Sequence, residues 1–201
     1  MIKTLIFDLG GVIVPFDFVH AYTRMETLSG LTREQIRERL LEGDFVRNYE
    51  AGRIPTDDFV KEVNRRLGIA VQRDEFREIW VSIFARQTLL PESLFATLRR
   101  RYRLLLLSNT NEMHFDWVAE NYPHLSHFHH RVVSHKVGAL KPEDAIYRAA
   151  LSQAECEPGE CFFTDDIAPY VEGARQHGMQ AVQFTGRDKL LVDLQKLGVE
   201  V

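Results

Sequence analysis

One stretch near the start of the chain limits what it can fold into: Thr4-Leu5-Ile6-Phe7-Asp8-Leu9-Gly10-Gly11-Val12-Ile13-Val14. Three apolar residues run straight into a carboxylate, and two glycines follow. A short unbroken apolar run suits a strand buried on both faces, as in a parallel sheet. The glycine pair lets the backbone bend sharply and leaves room for a ligand to come close. Asp8 then stands at the C-terminal end of a buried strand, the edge at which open α/β sheets bind their ligands. Taken alone, the stretch fits a buried Asp capping a turn equally well. The recurrence of the pattern downstream favours the ligand-binding reading.

Leu104-Leu105-Leu106-Leu107 is a second fully apolar run and ends at Ser108-Asn109-Thr110. Val132-Val133 forms a short strand ending near Ser134, Cys161-Phe162-Phe163-Thr164 ends at Asp165-Asp166, and Ala181-Val182-Gln183-Phe184 makes a fifth. Between them lie helical stripes. Pro91 opens the first at its favoured initial position, with Leu94, Phe95 and Leu98 inward; others carry Phe115 and Val118, Ile146 and Ala150, and Leu190 and Leu194. Strands alternating with helices imply right-handed crossovers, and so a Rossmann-like parallel α/β sheet with helices on both faces.

Residues 16–88 break that rhythm. Phe18, Tyr22 and Met25 recur at helical spacing before Gly30, and Thr32 with Gln35 forms a capping box ahead of Ile36 and Leu40. Thr56 is a second N-cap, with Asp57 and Asp58 in the first turn and Gly68 as the stop. No strand signal interrupts this segment, and its aromatics are core rather than a cofactor box. The expected organisation is an α/β core of residues 1–15 and 89–201, with a helical bundle of residues 16–88 inserted as a cap.

A chain of 201 residues holds one sizeable core plus a small accessory unit. The net charge of −4 gives no field that would draw nucleic acid or an anionic membrane. Cys156 and Cys161 match no zinc or redox spacing, so a reducing compartment is the default. With no signal-peptide architecture or membrane-length apolar run, a cytoplasmic monomer or weak homodimer is expected. His124, His127, His129, His130 and His135 fit no metal-ligand spacing and read as a solvated loop.

In a parallel sheet the strand ends carrying Asp8, Ser108-Asn109 and Asp165-Asp166 share one edge. Lys141 joins them from the start of its helix. Three carboxylates in one crevice need cations to neutralise them, and Mg²⁺ with Lys141 balances the charge. That inventory suits phosphoryl transfer. A carboxylate can serve as nucleophile toward phosphorus, a lysine and the metal steady the transferring oxygens, and a hydroxyl such as that of Ser108 donates to them. The backbone N–H groups of Leu9-Gly10-Gly11 add an anion nest.

The segments Phe7-Asp8-Leu9-Gly10-Gly11-Val12, Leu107-Ser108-Asn109, Lys141-Pro142 and Phe163-Thr164-Asp165-Asp166 resemble, in order, the four motifs of the haloacid dehalogenase-like hydrolase superfamily. The helical insert after the first motif resembles that family's cap. The resemblance implies that Asp8 is the nucleophile and that Asp8, the Gly10 carbonyl, Asp165 and Asp166 form the Mg²⁺ site. It further implies that Ser108, with Asn109, Gly10 and Gly11 beside it, holds the phosphoryl group of a small phosphorylated metabolite, and that Lys141 stabilises both. The chain looks closest to the branch of bacterial sugar-phosphate phosphatases and epoxide hydrolase N-terminal domains.

Two positions depart from the pattern. Gly10 stands where phosphatases of the family usually carry a second Asp, the general acid/base. Tyr170 stands where Asn often follows the paired aspartates. Asp17 and His20, where the insert begins, are candidates to replace the missing acid, although Asp17 equally suits a helix N-cap. The alternative to an enzyme is a weakly active or non-catalytic protein that binds Mg²⁺ and a phosphate ligand.

Overall fold

The computed structural model describes residues 1–201. Five strands form one all-parallel sheet in the order β3-β2-β1-β4-β5: β1 (Thr4–Phe7), β2 (Arg103–Ser108), β3 (His130–Val133), β4 (Cys161–Asp165) and β5 (Gln180–Gln183). β1 is central because all four of its residues are apolar or hydrogen-bonded and fully buried. Thr4 is the exception in type, and its hydroxyl donates to the Ala154 carbonyl at 2.7 Å.

Alternation along the strands divides the core in two. Leu5, Phe7, Leu104, Leu106 and Phe162 face one side. There they pack against α6 (Glu92–Leu98), α7 (Glu112–Asn121) and α11 (Arg187–Lys196). Ile6, Leu105, Leu107 and Phe163 face the other, against α9 (Asp144–Ser152) and α10 (Ala168–Gln176). α8 (Ser134–Val137) is a single turn after β3. Cys156 and Cys161 lie on this second side with their sulfurs 3.5 Å apart, closer together than their spacing suggests.

The insert holds α1 (Val19–Ser29), α2 (Arg33–Leu41), α3 (Phe45–Glu50), α4 (Thr56–Leu67) and α5 (Arg73–Val81). They enclose an apolar cluster of their own around Phe59, which stacks on Phe45 and Tyr49 and meets Phe76 and Trp80 edge-on. The capping box at Thr32 and Gln35 is present, and Gly30 and Gly68 end α1 and α4 in the left-handed conformation. Two expected caps differ. Pro55, not Thr56, is the N-cap of α4, because the Thr56 hydroxyl is buried against Tyr49 and Glu112. Pro91 is likewise the N-cap of α6 rather than its first residue.

The insert begins and ends with two extended segments that run side by side. Phe16 bridges Phe84 in antiparallel fashion, Asp17 N–H donates to the Ile83 carbonyl (2.7 Å), and Leu89 N–H donates to Ile13 (2.9 Å).

A buried polar cluster bolts the insert to the core. Asn111 caps α7, and its Oδ1 accepts from the His114 amide (3.1 Å) and from Trp80 Nε1 (3.3 Å). Its Nδ2 therefore faces His114 Nδ1 as a donor (3.0 Å), which assigns the ring proton to Nε2, aimed at the Trp80 carbonyl (2.9 Å). A second proton on this ring would point at the Asn111 amide N–H₂. Burial drives the His114 pKa down to about 4, the bond to Trp80 opposing weakly. An unfolded chain takes up that proton near pH 6.5, so stability falls as pH drops from about 6.5 towards 4. By pH 4.5 the loss is about 2–3 kcal/mol. Urea unfolding at pH 7 and 4.5 should show a steeper loss in the wild type than in His114→Gln; equal losses would remove His114 as the cause.

The histidine-rich segment is solvated only in part, at the exposed His129 and His130. His124 is buried with Nε2 on the Leu90 carbonyl, His127 pairs with Glu92, and His129 Nδ1 accepts the Leu104 amide. No helix is long and apolar enough to cross a membrane.

Candidate active site

The Asp8 amide donates to the Thr164 carbonyl (3.0 Å), one step beyond the paired residues Phe7 and Thr164. Asp8 and Asp165 therefore emerge side by side where the strand order reverses, the place where an open sheet leaves a crevice. Both are buried, at 7% and 0% exposure.

Lys141 reaches between them. Its ammonium is wholly buried, 2.9 Å from Asp8 Oδ1 and 2.5 Å from Asp165 Oδ2, and it donates to the Leu107 carbonyl at 3.0 Å. Burial alone would favour the neutral amine, but the two carboxylates outweigh it and hold the pKa above the ordinary lysine value. Asn109 fixes the lysine's main chain from both ends: its Nδ2 donates to the Lys141 carbonyl (3.1 Å) and its Oδ1 accepts the Lys141 amide (2.7 Å). The Tyr170 ring lies 5.2 Å from the ammonium, a cation–π contact that gives the departure at this position a structural role.

Carboxylate oxygens of Asp8, Asp165 and Asp166 lie within 4.8 Å of one another. One ammonium against three carboxylates leaves two negative charges uncompensated. Asp8 Oδ1, although close to Lys141, is buried with no hydrogen-bond donor along a usable direction. Burial, opposed by Lys141 and reinforced by Asp165, pushes the Asp8 pKa up to about 7. Burial and Asp165 likewise raise Asp166. An all-oxygen donor set with two charges to spare fits a hard divalent cation such as Mg²⁺. No histidine or cysteine joins it.

The glycine turn shapes this edge. Gly11 has φ +75°, and a Cβ there would lie 2.4 Å from Asp166 Oδ2, so only glycine lets the third carboxylate sit so close. Its N–H donates to the Val14 carbonyl (3.0 Å), which leaves the Leu9 and Gly10 amides as the turn's donors without main-chain partners. At Gly10 a Cβ would meet the Phe16 ring at 2.9 Å, so Phe16 occupies the room a side chain would need.

Beside this turn is a cavity of about 100 Å³ lined by Gly10, Phe16, Ser108, Asn109, His114 and Glu50 of the insert. Asp17 and His20 are exposed and do not line it; the Asp17 carboxylate accepts the Val19 amide (2.9 Å), but the N-cap of α1 is Phe18 rather than Asp17. A larger apolar groove of about 460 Å³ lies within the insert, between Tyr22, Met25 and Leu40, and contains none of the strand-end groups. Glu50 was not foreseeable from the sequence, where a carboxylate two residues before Gly52 looks like any other surface residue. The same holds for the clamp of Asn109 on Lys141, whose partners are 32 residues apart.

A family model described as haloacid dehalogenase-like hydrolase matches residues 2–178. A D-ribitol-5-phosphate phosphatase of Bacteroides thetaiotaomicron is 26% identical over 192 residues, 91% of this chain and 92% of that one. A phosphatase of Mycobacterium tuberculosis is 29% identical over 212 residues, 98% of this chain and 95% of its own length. Among solved structures, an enzyme of the same family from Bacteroides thetaiotaomicron, in complex with magnesium and inorganic phosphate, superposes with a TM-score of 0.81 at 28% identity, covering 92% of this chain and 96% of that one. The family match spans most of the sequence, and the strand-end carboxylates and lysine it would require are gathered at one edge of the sheet: the chain belongs to the haloacid dehalogenase-like hydrolases.

Proposed function

We propose that the protein is a Mg²⁺-dependent phosphatase of small phosphorylated metabolites, with sugar or sugar-alcohol phosphates as the preferred class. The observation that carries this reading is the buried cluster of Asp8, Asp165 and Asp166 with the Lys141 ammonium between two of them. The phosphatase names of the two relatives and the magnesium and phosphate bound to the structural neighbour support it.

Asp8, Asp165, Asp166 and the Gly10 carbonyl would hold the metal. When bound, Mg²⁺ neutralises this cluster and withdraws charge from the phosphoryl oxygens. The Asp8 carboxylate attacks phosphorus, forming an aspartyl phosphate as the ester oxygen leaves; water then attacks the phosphorus and frees Asp8. Lys141 favours the ionised form of Asp8 against the opposing effect of burial, and its charge offsets that gathering on the transferring group. Ser108 and the Gly10 amide donate to the phosphoryl oxygens, and Asn109 positions Lys141. The insert, as a cap, closes over this cavity of about 100 Å³ and keeps bulk water from the phosphoryl group.

Phosphate release from a panel of phosphorylated sugars, sugar alcohols and glycerol, with Mg²⁺ and with EDTA, tests this. Release should require Mg²⁺ and be fastest on a small polyol or sugar ester. No release from any ester with Mg²⁺ present would overturn the proposal.

A further inference from the structure

Gly10 leaves the reaction without a side chain to protonate the departing oxygen, and Phe16 fills the space such a side chain would occupy. The group must come from elsewhere. Among the residues that line the cavity with Gly10 and Ser108, Glu50 is the one carboxylic acid, and it comes from the end of α3 in the insert.

Its placement is specified by the core. The Glu50 carbonyl accepts the Ser134 hydroxyl (2.6 Å), and Ser134 Oγ in turn accepts the Thr110 amide (2.8 Å), two residues beyond Ser108. The turn that follows comes closer still. Gly52 has φ +67°, and a Cβ there would sit 2.1 Å from the His135 carbonyl oxygen, so glycine alone permits this approach. The last turn of α3 is thus pressed onto the loops at the strand ends.

The chemistry of the position also suits a proton donor. Glu50 makes no ion pair and no side-chain hydrogen bond, and it is only partly exposed. Burial pushes its pKa up to about 7, with Arg47 on the same helix pulling the other way. Tyr170, whose own pKa responds to Glu50, is near enough to sense the charge. A carboxyl whose pKa is raised toward neutrality can both give and take a proton, the condition for general acid–base catalysis.

We propose that Glu50, supplied by the insert, is the general acid–base of the phosphoryl transfer. The inference rests on the phosphatase reading above. As Asp8 bonds to phosphorus, the ester P–O bond breaks, its electron pair stays on the leaving oxygen, and the Glu50 carboxyl transfers its proton there to give the alcohol. Glu50, now a carboxylate, then takes a proton from the water that attacks the aspartyl phosphate. Phosphate and the Asp8 carboxylate are released, and Glu50 is protonated as at the start.

First-turnover product release by Glu50→Gln tests this, comparing an alkyl phosphate such as glycerol phosphate with p-nitrophenyl phosphate, whose leaving group needs no proton. The alkyl ester should slow by about 10²–10⁴-fold. The nitrophenyl ester should keep its first-turnover rate within about threefold and show a burst, because the second step also loses its base. Glu50→Asp, which keeps the acid on a shorter arm, should slow the alkyl ester less, and it carries the comparison if the Gln variant does not fold. Equal slowing of both esters, or no slowing of the alkyl ester, would overturn the proposal. A wild type inert on both esters would instead overturn the phosphatase reading, and Glu50's role with it.

Discussion

Asp8→Asn should abolish turnover while leaving the protein at least as stable as before. The amide has the shape of the carboxylate but cannot attack phosphorus, and loss of a covalent nucleophile costs on the order of 10⁶-fold in turnover. Stability should move the other way when metal is absent. The folded state holds the Asp8 pKa at about 7, far above its unfolded value, chiefly through burial. The penalty for ionising it is absent below about pH 4 and complete above about pH 7. A neutral amide escapes that penalty, so in EDTA at pH 7.5 the variant should unfold at a higher urea concentration, by an amount worth a few kcal/mol. Phosphate release and urea curves on the same preparations check both halves. Turnover within tenfold of wild type would remove Asp8 as the nucleophile.

Lys141→Met should have the largest cost in stability. The ammonium is completely buried between two carboxylates, and removing one partner from a buried ion pair costs about 3–5 kcal/mol. What remains is Asp8 beside Asp165 with no cation between them, an arrangement that must take up a proton or a metal ion. The loss should therefore be greatest in EDTA at alkaline pH and shrink in excess Mg²⁺, which binds only the folded cluster. Activity should fall even where the fold is rescued, by about 10²–10³-fold for the lost charge at the transferring group. Urea midpoints with EDTA and with Mg²⁺ read the first effect. Identical midpoints for variant and wild type in EDTA would contradict the ion-pair account.

The strands were legible because each signal is local. An apolar run stopped by a polar residue locates a buried strand, and parallel alignment then brings Asp8, Ser108 and Asp165 to one edge. The caps at Thr32, Gly30 and Gly68 were legible for the same reason. Thr56 has the local signature of a cap, but its hydroxyl is held by Tyr49 and by Glu112, 56 residues away. The histidines follow that pattern: His124 is held by Leu90, 34 residues before it, and His114 by Trp80. The site divides along the same line. Its charges could be counted from the strand ends, whereas Glu50 depends on how the insert settles on Ser134, 84 residues further along.

The paired segments at Phe16 and Phe84 have a consequence for how such a chain can change over time. Since the insert leaves the sheet where it entered, with Leu89 hydrogen-bonded to Ile13, the whole of it can be lengthened, trimmed or exchanged without moving β1 or the carboxylate it presents. The insert is thus a replaceable cassette, and the sheet edge with its carboxylates is a fixed socket. The cassette also carries Glu50, so under the proposed mechanism a new insert would alter the choice of substrate and the handling of the proton in a single step.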